Sequence, residues 1–288
     1  MRFSIIVVCL NPGQKLKSTM DSILEQTCRD FEVILKDGGS TDGSVEPWRQ
    51  GAEIGGSVEP EGRSSESNGA KVRFFQEQDK GIYDAMNQAV SHAVGEFVLF
   101  MNCGDSFADE RVLERTAERI AAKRTAGADM DRLILYGDTL SQKNSVMIAS
   151  APQITGFTCY RNIPCHQSCF YSTALCREKP YDLQYRIRAD YDHFLWCFYR
   201  VGAQFEHMGF AVASYEGGGY SESRENRSRN RKEHTQITKT YMGKGALLRY
   251  KAIMAITLAP LRRVMAESKA FSRVYHWLKK RVYRKGVN

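Results

Sequence analysis

DKGIYDAMNQAVSHAVGEFVLFMNCGD, from Asp79 to Asp105, is the stretch whose reading decides the fold. Ile82, Ala85, Met86, Ala89, Val90 and Ala93 recur at helical spacing, which gives one apolar face. Gly95 stands just past that face, where a glycine ends a helix. Phe97 to Met101 is an unbroken apolar run, the pattern of a strand buried on both faces. Asn102-Cys103-Gly104-Asp105 breaks the run. One carboxylate, Asp79, therefore opens the helix, and another, Asp105, closes the strand. Ligands of open α/β sheets sit beyond the carboxyl ends of strands, which is where Asp105 falls. The structural alternative for Asp105 is a turn residue ahead of a helix that begins near Asp109.

Working outward toward the N-terminus, Phe3 to Cys9 reads as a first strand and Asn11-Pro12-Gly13 as a turn. Leu16, Met20, Ile23 and Leu24 give the inner face of a helix ending near Thr27, and Phe31 to Leu35 is a second strand. Two strands joined by a helix form a βαβ unit and hence a parallel pair. The second strand runs into Lys36-Asp37-Gly38-Gly39-Ser40-Thr41-Asp42-Gly43, so Asp37 sits at its carboxyl end as Asp105 does at its own. Glycines there let a ligand approach the backbone; the alternative is a plain glycine-rich turn. Residues 51–70 have no apolar period and read as a surface-loop insertion, with GSVEP at Gly43–Pro47 repeated at Gly56–Pro60. Val72 to Phe75 is a third strand leading to Asp79.

Beyond Asp105 a helix is expected over Glu110–Lys123, then strands at Leu133–Tyr136, Val146–Ala149 and Ser168–Ser172, the last just after His166-Gln167. Asp190 starts a helix whose apolar face is Tyr191, Phe194, Leu195, Phe198 and Val201. Asp190 and Asp192 both lie in its first turn, where carboxylates favour the helix dipole, so capping is the structural alternative for each. Phe205 to Tyr215 is a strand, and Glu216-Gly217-Gly218-Gly219-Tyr220-Ser221 a loop before a run of basic residues.

Composition bounds the function. The chain has 288 residues, 42% of them apolar, enough for a real core. Arg2 is followed only by a short apolar run with no small-residue cleavage site, so no secretory leader is expected. The 8 cysteines include Cys159, Cys165, Cys169 and Cys176 near His166, but their spacing fits no familiar zinc pattern; reduced, mostly buried thiols in a cytoplasmic protein are the better account. From Ser223 onward there are 18 Lys and Arg against 3 Glu, a net of +15, while the rest carries 23 against 30, a net of −7. An acidic body with a basic tail points to an anionic partner for the tail.

The βαβ unit ending in DGGSTDGS, then DKGIYDAMN, NCGD, HQ and ADYD, in that order, resembles the family 2 glycosyltransferases over about residues 3 to 222. It looks closest to non-processive bacterial members that build exopolysaccharide or cell-surface glycans. The resemblance implies a GT-A fold: a Rossmann-like α/β architecture with a mixed, mainly parallel sheet flanked by helices, over residues 1–222. A basic helical C-terminal tail would occupy 223–288. The implied activity is inverting transfer of one sugar from a nucleotide-sugar donor, by default a UDP-sugar, to a glycan or lipid-linked acceptor. In that reading Asp37, Asp79 and the backbone of Cys9, Leu10 and Asn11 bind the nucleotide. Asp105 holds a divalent metal, Mg2+ or Mn2+. Asp190 is the general base. His166 and Gln167 line the place where acceptor meets donor, and Arg224 or Arg227 assists at the diphosphate. Two departures stand out: Gly38 stands where many relatives carry a second carboxylate, and Asn102 and Gly104 stand where acidic residues often do, which leaves only Asp105 of the metal motif. The Q-x-x-R-W signature of processive synthases is absent, which argues for single-sugar addition.

In the tail, the longest uncharged stretch, Ala252–Leu261, is 10 residues, too short to span a bilayer. Phe271, Val274, Tyr275, Leu278 and Val282 share one helical face among Arg273, Lys279, Lys280, Arg281, Arg284 and Lys285. This suits a helix lying on an anionic inner-membrane surface. A peripheral protein on the inner face of the plasma membrane is therefore expected. The other readings are a catalytically degenerate GT-A scaffold and a nucleic-acid-binding module acting through the tail. The acidic body offers no second basic stripe, so nucleic acid is not the expected partner.

Overall fold

The computed structural model describes residues 2–49, 57–58, 71–217 and 226–256. Its strands are β1 (Phe3–Cys9), β2 (Phe31–Asp37), β3 (Ser57–Val58), β4 (Lys71–Gln76), β5 (Phe97–Asn102), β6 (Ser106–Phe107), β7 (Leu133–Ser141), β8 (Val146–Ile148), β9 (Cys169–Ser172) and β10 (Gln204–Tyr215). The α-helices are α1 (Gln14–Leu24), α2 (Glu46–Arg49), α3 (Ile82–His92), α4 (Val112–Thr125), α5 (Gly156–Arg161), α6 (Thr173–Glu178), α7 (Ala189–Trp196), α8 (Asn226–Tyr241) and α9 (Lys244–Ile256). The chain divides into two units, Met1–Ile237 and Thr238–Asn288.

In the first unit the strands form one 10-stranded mixed sheet in the order β3-β4-β2-β1-β5-β9-β7-β10-β6, with β8 paired to β7. Its centre is the parallel block β4-β2-β1-β5. The apolar runs explain this placement, because β1 and β2 are buried on both faces along almost their whole length. Phe3, Ile5, Val7, Phe31, Val33, Leu35, Leu99 and Met101 share a cluster with Leu16, Met20 and Ile23 of α1 and Val112 and Ile120 of α4. α3 packs on β1 and β2. Helices thus follow their strands and bury a shared core, as the alternation of strand and helix patterns requires.

Two local expectations are corrected. Ile82 was placed on the buried face of α3, yet it is 40% exposed and Tyr83 is buried instead. The rest of that face, Ala85, Met86, Ala89, Val90 and Ala93, is buried as expected, and at its start Tyr83 points inward, where its hydroxyl meets Asp190. Gly95 was assigned to ending α3, but its φ is not positive, and the helix closes earlier at His92. A Cβ on Gly95 would lie 2.5 Å from the Phe3 carbonyl carbon and the Ser4 nitrogen. Gly95 is needed because the chain entering β5 passes directly against β1.

Charge is also buried in the sheet. Glu32 accepts from Ser4 Oγ at 2.6 Å, from the Val94 N–H at 2.7 Å and from Arg73 Nη1 at 3.0 Å. Buried charges persist when paired and fully hydrogen-bonded, and here the pairing ties β1, β2, β4 and the α3–β5 connection together. In the second unit, Leu248 and Ile256 of α9 are 71% and 80% exposed. Among the described residues no helix is long and apolar enough to cross a membrane. Arg224, the insertion at 51–70 apart from β3, and the tail helix expected around Phe271–Lys285 lie outside the described residues.

Candidate active site

The carboxyl ends of β1, β2 and β5 lie side by side, because β1 pairs in parallel with both neighbours. Asp37 ends β2 in register with Cys9 of β1. The loops that follow are laced together: the Asn11 N–H donates to Ser40 Oγ at 2.8 Å, the Thr41 N–H to Asn11 Oδ1 at 2.8 Å, and the Gly13 N–H to Asp42 Oδ2 at 2.9 Å. Asn11 has a φ of 49°, a left-handed conformation that asparagine tolerates better than most side chains. Leu10 is 61% exposed on this edge.

Asp37 is fully buried. Its oxygens accept from the Ser40 N–H at 3.0 Å, Ser40 Oγ at 2.5 Å and Gln76 Nε2 at 2.9 Å. The carboxylate therefore organises the DGGS turn from within. Asp79 is more open: Oδ1 accepts from the Gly81 N–H at 3.0 Å, and Oδ2 meets the buried Lys36 Nζ at 2.5 Å. A Cβ on Gly38 would lie 2.8 Å from Asp79 Oδ2. The missing carboxylate at position 38 thus has a spatial reason, since Asp79 already fills that place. Hydrogen bonding with Cys103 and burial push the Cys9 thiol well up, so it stays protonated.

Asp105 closes the turn after β5 and is buried. Oδ2 accepts from Gln167 Nε2 at 2.7 Å, and Oδ1 from the Glu216 N–H at 3.0 Å. Burial raises its pKa, and these two hydrogen bonds oppose the rise without cancelling it. Thr19 braces the turn, accepting from the Gly104 N–H at 2.9 Å and donating to the Asp105 carbonyl at 2.7 Å. Gly104 has a φ of 98°, and a Cβ there would collide with the Glu216 carboxylate. Glu216 in turn pairs with Lys15 at 2.6 Å. A carboxylate that the sequence reading missed thus lies over the glycine that replaces an acidic residue.

Asp190 lies in the first turn of α7, with its side chain 22% exposed. Oδ1 accepts from the Tyr83 hydroxyl at 2.9 Å, and Oδ2 stands 3.5 Å from His166 Nδ1. Asn102 Nδ2 is 3.1 Å from His166 Nε2; with the amide as donor, the ring proton sits on Nδ1, facing Asp190. Burial alone would raise the Asp190 pKa, but the hydrogen bonds from His166 and Tyr83 outweigh it and hold the carboxyl below its ordinary value. Asp192, its neighbour in the same turn, is a buried partner of Lys179 and faces away from this network.

The adjacent residues His166 and Gln167 thus hold one carboxylate each, Asp190 and Asp105. Arg227 lies exposed at the start of α8 and is not drawn into this group. Among the described residues no three or more His, Cys, Asp or Glu side chains form a metal-holding group. The oxygen donors nonetheless suit a hard divalent cation: Asp105 and Glu216 flank one turn, and Asn102 Oδ1 is buried without a hydrogen-bond partner. Such a cation would need phosphate oxygens or water to complete its shell. Tyr83 and Glu216 escaped the sequence reading. Tyr83 fell outside the apolar face read from the spacing, and nothing local couples Glu216 to a turn more than a hundred residues earlier.

Residues 4–257 match the family model described as Glycosyl transferase family 2. The chain belongs to that family, and it is a glycosyltransferase. It is 34% identical over 221 residues, 76% of this chain and 78% of the relative, to the PGL/p-HBAD biosynthesis glycosyltransferase of Mycobacterium bovis BCG. In fold it is similar to Staphylococcus aureus TarS (residues 1–349), solved in complex with UDP-GlcNAc: TM-score 0.59, 18% identity, 94% of this chain and 74% of that one. It is also similar to the mannosyltransferase PcManGT of Pyrobaculum calidifontis, solved with GDP-Man and Mn2+: TM-score 0.60, 17% identity, 96% and 84% covered. These likenesses bear out the GT-A reading of the α/β sheet.

Tyr83→Phe removes a hydrogen bond that lowers the Asp190 pKa. If turnover needs ionised Asp190, the acid limb of the pH–rate profile moves to higher pH in the variant. Rates of nucleotide release measured across pH check this; an unmoved limb would contradict it.

Proposed function

We propose that this chain is an inverting glycosyltransferase. It moves one sugar from a nucleotide-sugar donor, a UDP-sugar, to a hydroxyl of a glycan or lipid-linked acceptor in bacterial surface polysaccharide synthesis. The observation that carries this reading is the pairing of two differently housed carboxylates through His166 and Gln167. Asp105 is buried in a turn after β5, and Asp190, whose pKa is held below its ordinary value by its hydrogen-bond donors, is partly open.

The chemistry assigns the work. The acceptor hydroxyl gives its proton to Asp190 as its oxygen bonds to the anomeric carbon. The bond to the diphosphate breaks on the opposite face, and the electron pair leaves with the nucleotide. One displacement inverts the anomeric centre, so no covalent nucleophile is required. Cys9, Leu10, Asn11 and Asp79 line the nucleotide, and Asp37 acts through the loop that it holds. Asp105 would hold a divalent cation, Mg2+ or Mn2+, which would supply positive charge against the developing diphosphate. Lys15, Arg224 and Arg227 would act as further cations for the same charge. His166 aims Asp190, and Gln167 aims Asp105.

Thermal shift with UDP, GDP and dTDP, each with and without Mg2+ or Mn2+, tests the donor site. A ligand at a hundred times its Kd stabilises the folded state by about 2.7 kcal/mol. For a protein of this size that is a rise of roughly 5–10 °C. A metal-dependent rise with UDP is expected. Metal-independent binding would remove Asp105 as a ligand, and no rise with any nucleotide would favour a catalytically degenerate scaffold.

The basic tail supports a peripheral place on the cytoplasmic face of the plasma membrane, next to a lipid-linked acceptor. Truncation after Lys244 is expected to abolish co-sedimentation with phosphatidylglycerol vesicles while leaving UDP binding unchanged. A truncated protein that still pellets would contradict the tail as anchor.

A further inference from the structure

Glu233 of α8 is 7% exposed and lies beyond every residue assigned above to donor, metal or base. Its carboxylate gathers three consecutive backbone donors. Oε1 accepts from the Arg186 N–H at 3.1 Å, and Oε2 from the Ile187 N–H at 3.0 Å and the Arg188 N–H at 3.0 Å. Successive N–H groups converging in this way form an anion-holding concavity, here filled by the protein's own side chain. Arg188 returns the contact, its Nε donating to Asn230 Oδ1 at 2.5 Å and to the Asn230 carbonyl at 3.2 Å. On the other edge of the same segment, the Tyr83 hydroxyl lies 2.8 Å from the Ile187 carbonyl and 2.9 Å from Asp190 Oδ1, and its single proton is shared between these two acceptors. Residues 186–188 are therefore clamped between α8 and α3, and α7 begins immediately afterwards with Ala189 and Asp190.

We propose that Glu233 is a positioning residue for the transfer reaction: by fixing the backbone of Arg186, Ile187 and Arg188 it sets the aim of the Asp190 carboxylate. The proposal rests on the reading of Asp190 as general base. Glu233 itself touches neither donor nor acceptor. Its removal leaves three backbone donors without their acceptor at a largely buried place, so the segment must shift or admit water. Asp190 follows, because Tyr83 grips both the segment and the carboxylate. A displacement of about 1 Å in a reacting group can cost a hundredfold in rate. The Glu233 and Tyr83 hydrogen bonds run to residues 186–188 and to Asp190 rather than to Asp37, Asp79 or Asp105, so nucleotide affinity is expected to be kept.

The test uses the full-length chain with Glu233→Ala, Glu233→Gln and Asp190→Asn. Three quantities are measured: nucleoside diphosphate release from UDP-glucose, UDP-N-acetylglucosamine or GDP-mannose, whichever supports turnover; UDP affinity by calorimetry; and amide hydrogen exchange at residues 186–188. Glu233→Ala is expected to lower kcat about a hundredfold. UDP affinity stays within about twofold, and exchange at the three amides speeds up. Glu233→Gln keeps one acceptor oxygen and falls between. A Glu233→Ala protein with faster exchange but wild-type kcat would overturn the proposal. So would one in which kcat falls only in step with UDP affinity. If Glu233→Ala does not fold, Glu233→Gln decides: wild-type kcat with faster exchange overturns the proposal, and reduced kcat with intact UDP affinity supports it. Asp190→Asn separates the two claims. Wild-type turnover in that variant defeats the base assignment itself, whereas an inactive Asp190→Asn beside fully active Glu233 variants defeats only the positioning role.

Discussion

Two carboxylates in different surroundings must each be held in place, and the dipeptide His166-Gln167 meets that constraint. Gln167 hydrogen-bonds Asp105, while His166 faces Asp190 and is steadied by Asn102. Burial disfavours the charged form of a carboxylate, and hydrogen bonds to the charged form favour it. Giving each its own hydrogen-bond partner lets their environments diverge. Asp105 is pushed upward by burial, and Asp190 is drawn downward by its donors. The elements that carry these residues, the end of β5, the turn before β9, α3 and α7, are placed by contacts that serve this arrangement.

The same logic runs through the donor edge. Asp37 spends its oxygens on its own turn and on Gln76, so its contribution is to shape. Asp79 is anchored by a fully buried lysine and retains some exposure, so it can still face a ligand. Glycines 38 and 104 look like lost functional positions in the linear chain. In space they are the clearances that let Asp79 and Glu216 approach. Each glycine thus leaves room for a carboxylate from elsewhere in the fold.

What could be read from the chain alone follows from range. The strands at Phe3, Phe31 and Phe97 are continuous apolar runs, and the helix after Asp79 has clear periodicity. Their existence and order are local properties, and the structure bears them out. The face of α3 was misread at its start because Ile82 and Tyr83 are both plausible core side chains. Only a partner a hundred residues away, Asp190, selects the tyrosine. Gly95 was misread for a similar reason, since its true neighbours are Phe3 and Ser4. Glu216 over Gly104 and Glu233 beneath residues 186–188 are long-range contacts with no local signature. Hydrogen bonds of this kind are invisible to spacing and propensity.

On this account Asp190 acts on the acceptor in a single displacement, and the stereochemistry of the product reports on that directly. Proton NMR of the anomeric signal in the first minutes of turnover, with water or a sugar acceptor, would distinguish the outcomes. Inversion of the donor's anomeric configuration is the expected result. Retention would require either two successive displacements through a covalent intermediate or attack by the acceptor on the same face as the leaving diphosphate, and would contradict Asp190 as the base of a single displacement.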